Sequence, residues 1–188
     1  PILAVSIGLS LIWVLTWINT KGVKASGKVQ LITTILKLLP LVFVIIVGAF
    51  YFKTENFPAF NLTDEGNIAT FAVVSTMTLY AFLGIESATI PAGNVKKPEV
   101  TVPKATMWGT MITTAVYILG TIVLFGIIPV DILKESPAPF AEAGKIIGGD
   151  FASYFVATGA VISATGALNG WILITSQVPM ATAKDNLF

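Results

Sequence analysis

Apolar residues fall into five long runs, and the short segments between them hold nearly all of the charged residues. The runs cover residues 2–18, 29–52, 68–91, 106–128 and 151–178. About 20 apolar residues in an α-helix are enough to cross the ~30 Å hydrocarbon core of a bilayer. The pattern therefore predicts an all-α integral membrane protein with five transmembrane helices, forming one domain over residues 1–188.

The third run contains a carboxylate, Glu86, near its middle. A charge at the bilayer centre costs about 2.5–3.5 kcal/mol on insertion scales, and such residues usually mark functional sites. Gly84 is a poor helix former, Ile85 is β-branched, and Ser87 offers a hydroxyl to freed backbone groups. We predict a span broken at residues 83–86, near Gly84. The alternative is a kinked but unbroken helix in which Glu86 pairs with a neighbouring side chain.

The lysines predict which connections face the cytoplasm. Connections 19–28 and 94–104 each carry three lysines, whereas connections 53–67 and 129–150 carry more acidic residues than lysines. Positively charged loops stay in the cytoplasm, so the first pair lies inside and the second pair outside. A short surface helix is predicted over residues 140–147.

Composition supports a membrane protein and excludes several kinds of chemistry. The chain is 55% hydrophobic and 11% charged, whereas soluble domains carry about 25% charged residues. It has no cysteine and no histidine, so we expect no disulfide, no metal site and no cofactor. The net charge of +1 gives no reason to expect a nucleic-acid partner. No second carboxylate accompanies Glu86 in the spans, so no catalytic residues and no enzyme are predicted.

Lys37 is the second charged residue inside a run. One interpretation is that its side chain extends along the helix and places the ammonium group at the interface. The other is a fixed cation inside the bundle, with a role in coupling transport to a proton or cation. The sequence leaves both open.

Four small residues in the last run share one helix face: Gly159, Ser163, Gly166 and Gly170. Small residues at this spacing let two membrane helices approach closely, so we predict a packing interface. Trp171 follows this stripe directly. A tryptophan away from the interface can close over a substrate or stack on a cation, and Asn169 lies beside it.

Tyr80 and Phe82, just before the predicted break, offer further aromatic surface from the opposite wall. Packing in the protein interior is the alternative for Phe82.

Residues 78–105, TLYAFLGIESATIPAGNVKKPEVTVPKA, resemble the broken sixth helix and following loop of the amino acid–polyamine–organocation permeases. The resemblance is to the basic amino-acid and polyamine antiporter branch, that of the arginine/agmatine antiporter. Residues 136–143 extend it, and residues 166–177 resemble the eighth helix. The resemblance implies an internal fragment of a twelve-helix carrier, comprising helices four to eight of a leucine-transporter-type inverted-repeat bundle.

The resemblance also implies roles for individual residues. Glu86 matches a carboxylate implicated in substrate and proton coupling, and Trp171 matches a tryptophan that contacts substrate. Lys37 resembles the lysine that replaces a sodium ion in sodium-independent members. Tyr80 and Ala167 depart from the arginine antiporter, which has tryptophan and serine at those places.

Together these observations predict a segment of a secondary active amino-acid or polyamine transporter, either a sodium-independent exchanger or a proton-coupled permease. Its partners are the substrate, the lipid bilayer and the remaining helices of the full-length transporter, with a homodimer as a further assembly to consider. The expected location is the cell membrane, specifically a bacterial inner membrane. The alternative function is a proton- or ion-translocating subunit in which Lys37 and Glu86 form a charge relay. The predicted substrate-binding residues are Tyr80, Phe82, Gly84, Ile85, Glu86, Ser87, Ala167, Asn169 and Trp171, and the predicted coupling residues are Glu86 and Lys37.

Overall fold

The structure is a computed structural model that describes residues 2–57, 59, 61–79 and 83–187. Within these ranges the regular structure is helical throughout, which agrees with the predicted all-α class. The α-helices are α1 (Ile2–Thr20), α2 (Val23–Gly48), α3 (Asn67–Thr78), α4 (Pro98–Ile127), α5 (Val130–Glu135) and α6 (Pro139–Lys184). Short 3-10 helices occupy Ala49–Tyr51, Thr54–Asn56, Ile85–Thr89 and Ala92–Asn94.

Four of the described helices are long and apolar enough to cross a membrane. They are α1, α4, α6 and α2 with its 3-10 extension to Tyr51. The apolar helix α3 has only 12 residues, because the third apolar run does not continue as one α-helix. This run is the one that we expect to be interrupted near Gly84.

Helix α2 begins at Val23, six residues before the apolar run that predicts it. Hydropathy identifies only the apolar part of a helix. The helical hydrogen bonding of α2 extends beyond that part toward the N-terminus and includes Lys24 and Lys28. Gly22, with φ of 97°, provides the tight turn that separates α1 from α2. Beside this turn, the Lys21 ammonium group lies 3.8 Å from the centroid of the Trp17 ring.

A sharp bend divides α6 into two helical parts, 139–147 and 150–184. The backbone leaves helical geometry at Gly148 and at Gly149, whose φ of 66° favours glycine. The helix predicted over residues 140–147 is therefore present. One face of this helix packs into the protein, where Ala143 is 0% exposed and Ile147 is 8% exposed, whereas Lys145 and Ile146 on its other face are exposed.

The hydrophobic core joins the C-terminal ends of α2 and α4 to α6 on both sides of its bend. Its buried members are Val44, Val123, Leu124, Ile127, Ile128, Ala143, Ile147 and Val156. Gly48 permits this contact, since a Cβ added there would lie 2.8 Å from both Ile127 and Val123 side chains. Burial of these aliphatic side chains holds the three helices together at one end of the bundle.

Helices α2 and α6 form the most extensive contact between elements. A Cβ added at Gly159 would lie 2.5 Å from Cγ of Pro40, and one added at Gly166 would lie 2.6 Å from Oγ1 of Thr33. At Gly170 the nearest atom would be Oε1 of Gln30, at 3.4 Å. The predicted packing role of the small-residue stripe is confirmed.

Candidate functional site

The third apolar run is interrupted at Gly84, as the sequence predicts. Gly84 adopts the left-handed conformation, with φ of 95°, and residues Ile85–Thr89 form a 3-10 helix. The backbone N–H of Ser87 donates to the carbonyl of Gly84 at 3.0 Å, which closes a tight turn. A continuous α-helix does not pass through a left-handed residue, so the unbroken alternative is excluded.

Trp171 of α6 lies against this interruption. An ideal Cβ built on Gly84 would be 3.9 Å from Cζ2 of the Trp171 indole. The indole is 52% exposed, and Ala167, one turn earlier on α6, is also exposed. The fold thus brings together two segments that are 87 residues apart in the chain, and both belong to the predicted binding site.

A cavity of about 510 Å³ opens between the interruption, α2 and α4. Leu83, Gly84 and Ile85 form one wall, and Lys37 contributes from α2. The α4 wall is partly polar and consists of Ala105, Thr106, Gly109, Thr110, Thr113, Thr114 and Tyr117. An apolar pocket with a few polar groups suits a small organic molecule.

The hydroxyl groups on α4 are absent from the sequence prediction. A signal was present: Thr106, Thr110, Thr113 and Tyr117 recur at spacings of four, three and four, which places them on one helix face. Threonine is common in membrane helices, where it often bonds to its own backbone, so the spacing alone does not indicate a site. This face becomes a candidate part of the site because it lines the same cavity as residues 83–85.

Lys37 is half-buried and lines two cavities. The second cavity, of about 200 Å³, lies against α6 and includes Pro40 and Ser163. In the described ranges the ion pair present is Lys145–Asp150, at 3.7 Å, and none joins Lys37 to Glu86. The charge-relay alternative therefore receives no geometric support from the described residues.

Glu86 lies in the 3-10 helix after Gly84, and its side chain is exposed. Its backbone carbonyl accepts a hydrogen bond from Oγ1 of Thr89 at 2.7 Å. The neighbouring Ser87 is half-buried. The Glu86 carboxylate is adjacent in sequence to the cavity wall but is not enclosed by the described residues.

Asn169 is fully buried, at 0% exposure, between α6, α1 and the start of α2. Its oxygen accepts from the amide of Asn19 (3.1 Å) and from the hydroxyl of Ser26 (3.3 Å). Its amide nitrogen donates to the carbonyl of Ser26 (3.1 Å) and to Oε1 of Gln30 (3.2 Å). An asparagine side chain has two donors and two acceptor positions, so none remains for a substrate.

Two predicted site residues, Tyr80 and Phe82, lie outside the described residues. In the described part of the chain, no three His, Cys, Asp or Glu side chains are arranged to hold a metal ion. Two groups of described residues therefore meet at Gly84. Lys37 and the hydroxyl face of α4 line the cavity beside it, and the Trp171 indole approaches Gly84 without being one of the residues that line this cavity.

Long apolar helices packed beside an interrupted span, with a cavity at the interruption, are the architecture of secondary transporters. Comparison with known proteins identifies the family. The family model described as amino acid permease matches residues 1–188, and the chain belongs to this family. Membership places the chain among transport proteins and not among enzymes.

Two relatives illustrate the family branch. A cadaverine/lysine antiporter from Escherichia coli (strain K12) is 33% identical over 181 residues, which is 96% of this chain and 41% of that protein. A Bacillus subtilis (strain 168) protein, provisionally named an arginine/ornithine antiporter, is 33% identical over 185 residues, or 95% of this chain and 39% of that protein. The chain thus spans about two fifths of the length of these relatives.

Proposed function

We propose that this chain is part of a sodium-independent exchanger of cationic amino acids and polyamines in the bacterial cell membrane. The main support is the approach of Trp171 to the interruption: its Cζ2 atom would lie 3.9 Å from an ideal Cβ built on Gly84. The names of the bacterial relatives supply the substrate class, since lysine, cadaverine, arginine and ornithine all carry a cationic group on an aliphatic chain. The electron-rich face of an indole attracts such a cation.

The interruption supplies the groups that would bind the other end of an amino acid. Ile85 and Glu86 begin a five-residue helical segment that follows Gly84. We propose that backbone N–H groups at this start, which is the positive end of the segment, bind the substrate carboxylate. The substrate would lie between these donors and the Trp171 face, and its aliphatic part would contact Ala167.

Glu86 and Lys37 are proposed as the coupling residues. Glu86 would take up or release a proton as the site alternates between the two sides of the membrane. Lys37 would supply a permanent positive charge beside the cavity, so that no sodium ion is needed there. This assignment explains why a costly charge is retained in an apolar helix.

The test uses the full-length protein in proteoliposomes that contain unlabelled substrate. We expect uptake of labelled lysine, arginine or cadaverine only when the vesicles contain a member of the same substrate class, and at the same rate with sodium or choline outside. Uptake without internal substrate would contradict exchange, and dependence on sodium would contradict the role of Lys37. Proton current without substrate exchange would support the charge-relay alternative.

A further inference from the structure

The buried hydrogen-bond cluster around Asn169 joins three helices at the end of the bundle opposite the hydrophobic core. Its members are Asn19 at the end of α1, Ser26 and Gln30 in the first turns of α2, and Asn169 in α6. Asn169 lies 150 residues from Asn19 and 143 from Ser26, so the cluster is a tertiary link. It is the point at which α6 is attached to both α1 and α2.

The cluster accepts only one orientation of the Asn169 amide. If its oxygen and nitrogen were exchanged, the oxygen would face the Ser26 carbonyl and the NH₂ would face the Asn19 NH₂, so that both contacts became repulsive. The residues of α6 that contact α2 beside the cluster are glycines, which form no side-chain hydrogen bonds. Gly166 and Gly170 bring α6 close to α2 by van der Waals packing, which is less directional than a hydrogen bond. The polar cluster therefore adds a directional constraint on how α6 is rotated about its axis.

Rotation of α6 determines where Trp171 points. Two residues correspond to about 200° around an α-helix, so Asn169 and Trp171 project from opposite sides of α6. Asn169 faces α1 and α2, whereas the Trp171 indole faces the interruption at Gly84. Loss of the cluster would relax this constraint at the Trp171 end of the contact, and we expect the indole to move relative to the site.

We propose that Asn169 is a positioning residue for transport: through its bonds to Asn19, Ser26 and Gln30 it holds the Trp171 indole against the interruption. This proposal rests on the proposed function of Trp171 as a wall of the substrate site. It replaces the predicted direct contact of Asn169 with substrate, because the side chain has no free hydrogen-bonding position.

The test compares Asn169→Ala with Thr165→Ala in the full-length transporter. Thr165 is a matched control on the same helix, because its hydroxyl donates only to the Val161 carbonyl within α6, at 2.9 Å. We expect Asn169→Ala to raise the KM for exchange by about three- to tenfold, a range typical of coupled neighbours, and Thr165→Ala to leave it unchanged. In a Trp171→Ala background, Asn169→Ala should cause no further increase in KM.

Two transport results would overturn the proposal. One is that Asn169→Ala lowers the amount of folded protein but leaves KM unchanged, which would indicate a role in stability alone. The other is an equal rise in KM with and without the indole, which would show that Asn169 acts through another group.

A second measurement does not depend on transport. In a variant of the full-length protein that keeps Trp171 as its single tryptophan, with Trp13→Phe, Trp17→Phe, Trp108→Phe and phenylalanine for any tryptophan outside residues 1–188, Asn169→Ala should shift the indole emission maximum and its quenching by acrylamide. Thr165→Ala should shift neither, and an unshifted Asn169→Ala spectrum would overturn the proposal. If the unmodified protein exchanges no substrate, the proposed function fails, and this spectrum still decides whether Asn169 positions the indole.

Discussion

Substitution of Gly159 by alanine tests the close contact between α2 and α6. The added Cβ would lie 2.5 Å from Cγ and 3.1 Å from Cβ of Pro40, whereas carbon atoms in favourable contact are about 3.5–4.0 Å apart. The proline ring is closed onto its own backbone and has no rotamer that moves it away. The two helices must therefore separate locally by about 1 Å.

The expected cost follows from two opposing effects. Overpacking a well-packed contact costs about 1–3 kcal/mol, whereas replacing glycine by alanine in a helix gains up to about 1 kcal/mol. Gly8→Ala in α1 isolates the second effect, since no atom of the described residues lies within 4 Å of a Cβ added there. We expect Gly159→Ala to be less stable than Gly8→Ala by about 1–3 kcal/mol.

The assay is unfolding of the purified full-length protein in mixed micelles of mild detergent and dodecyl sulfate, followed by circular dichroism. Pro40→Ala in the Gly159→Ala background provides the rescue, because it removes the Cγ atom that the new methyl group meets. Equal unfolding free energies for Gly159→Ala and Gly8→Ala would refute the close approach. The close approach would also be refuted if Pro40→Ala recovered none of the unfolding free energy lost in Gly159→Ala.

Three further predictions concern the site. Gly84→Ala should reduce exchange through backbone strain of about 1–2 kcal/mol at its φ of 95°. Among the described residues the nearest atoms to the new methyl group would lie at 3.6 Å and 3.9 Å, which is ordinary contact, so the strain is the expected cause. An unchanged rate would contradict the need for this conformation. Glu86→Gln should remove the pH dependence of exchange, and a pH profile like that of the unmodified protein would eliminate the coupling role. If substrate enters the cavity, Thr110→Val should raise the KM for exchange about two- to tenfold. Thr158→Val is the control and should leave KM unchanged, because the Thr158 hydroxyl donates to the Tyr154 carbonyl of its own helix.

Helix positions and the interruption were predictable because each has a local cause. Long apolar runs must form helices in a membrane, since lipid offers no partner for backbone groups. Gly84 beside a β-branched residue and a carboxylate marks the place where the helix ends. The bend in α6 also has a local cause, in Gly148 and Gly149, but two adjacent glycines in a polar connection indicate a loop as readily as a bend between helices.

The surroundings of polar side chains were not predictable, because they depend on residues far away in the chain. Asn169 beside Trp171 suggested a binding residue, yet its partners at positions 19, 26 and 30 fill all of its hydrogen-bonding positions. The threonines of α4 are the reverse case: their sequence positions suggest no binding role, but the fold places them in a cavity wall opposite residues 83–85. In a membrane helix, sequence identifies polar residues but not which of them face another helix.

Helix α6 combines two requirements that conflict when they fall on one surface. A substrate site needs exposed groups that are free to bind, whereas helix attachment needs polar groups that are fully paired and small residues that are covered. The chain separates these requirements by rotation around one helix. Asn169 and the small residues at 159, 166 and 170 face α2, whereas Ala167 and Trp171 remain exposed near the interruption. The attached side fixes α6 relative to α2, and the open side can then meet a substrate without losing the contacts that hold its indole in place.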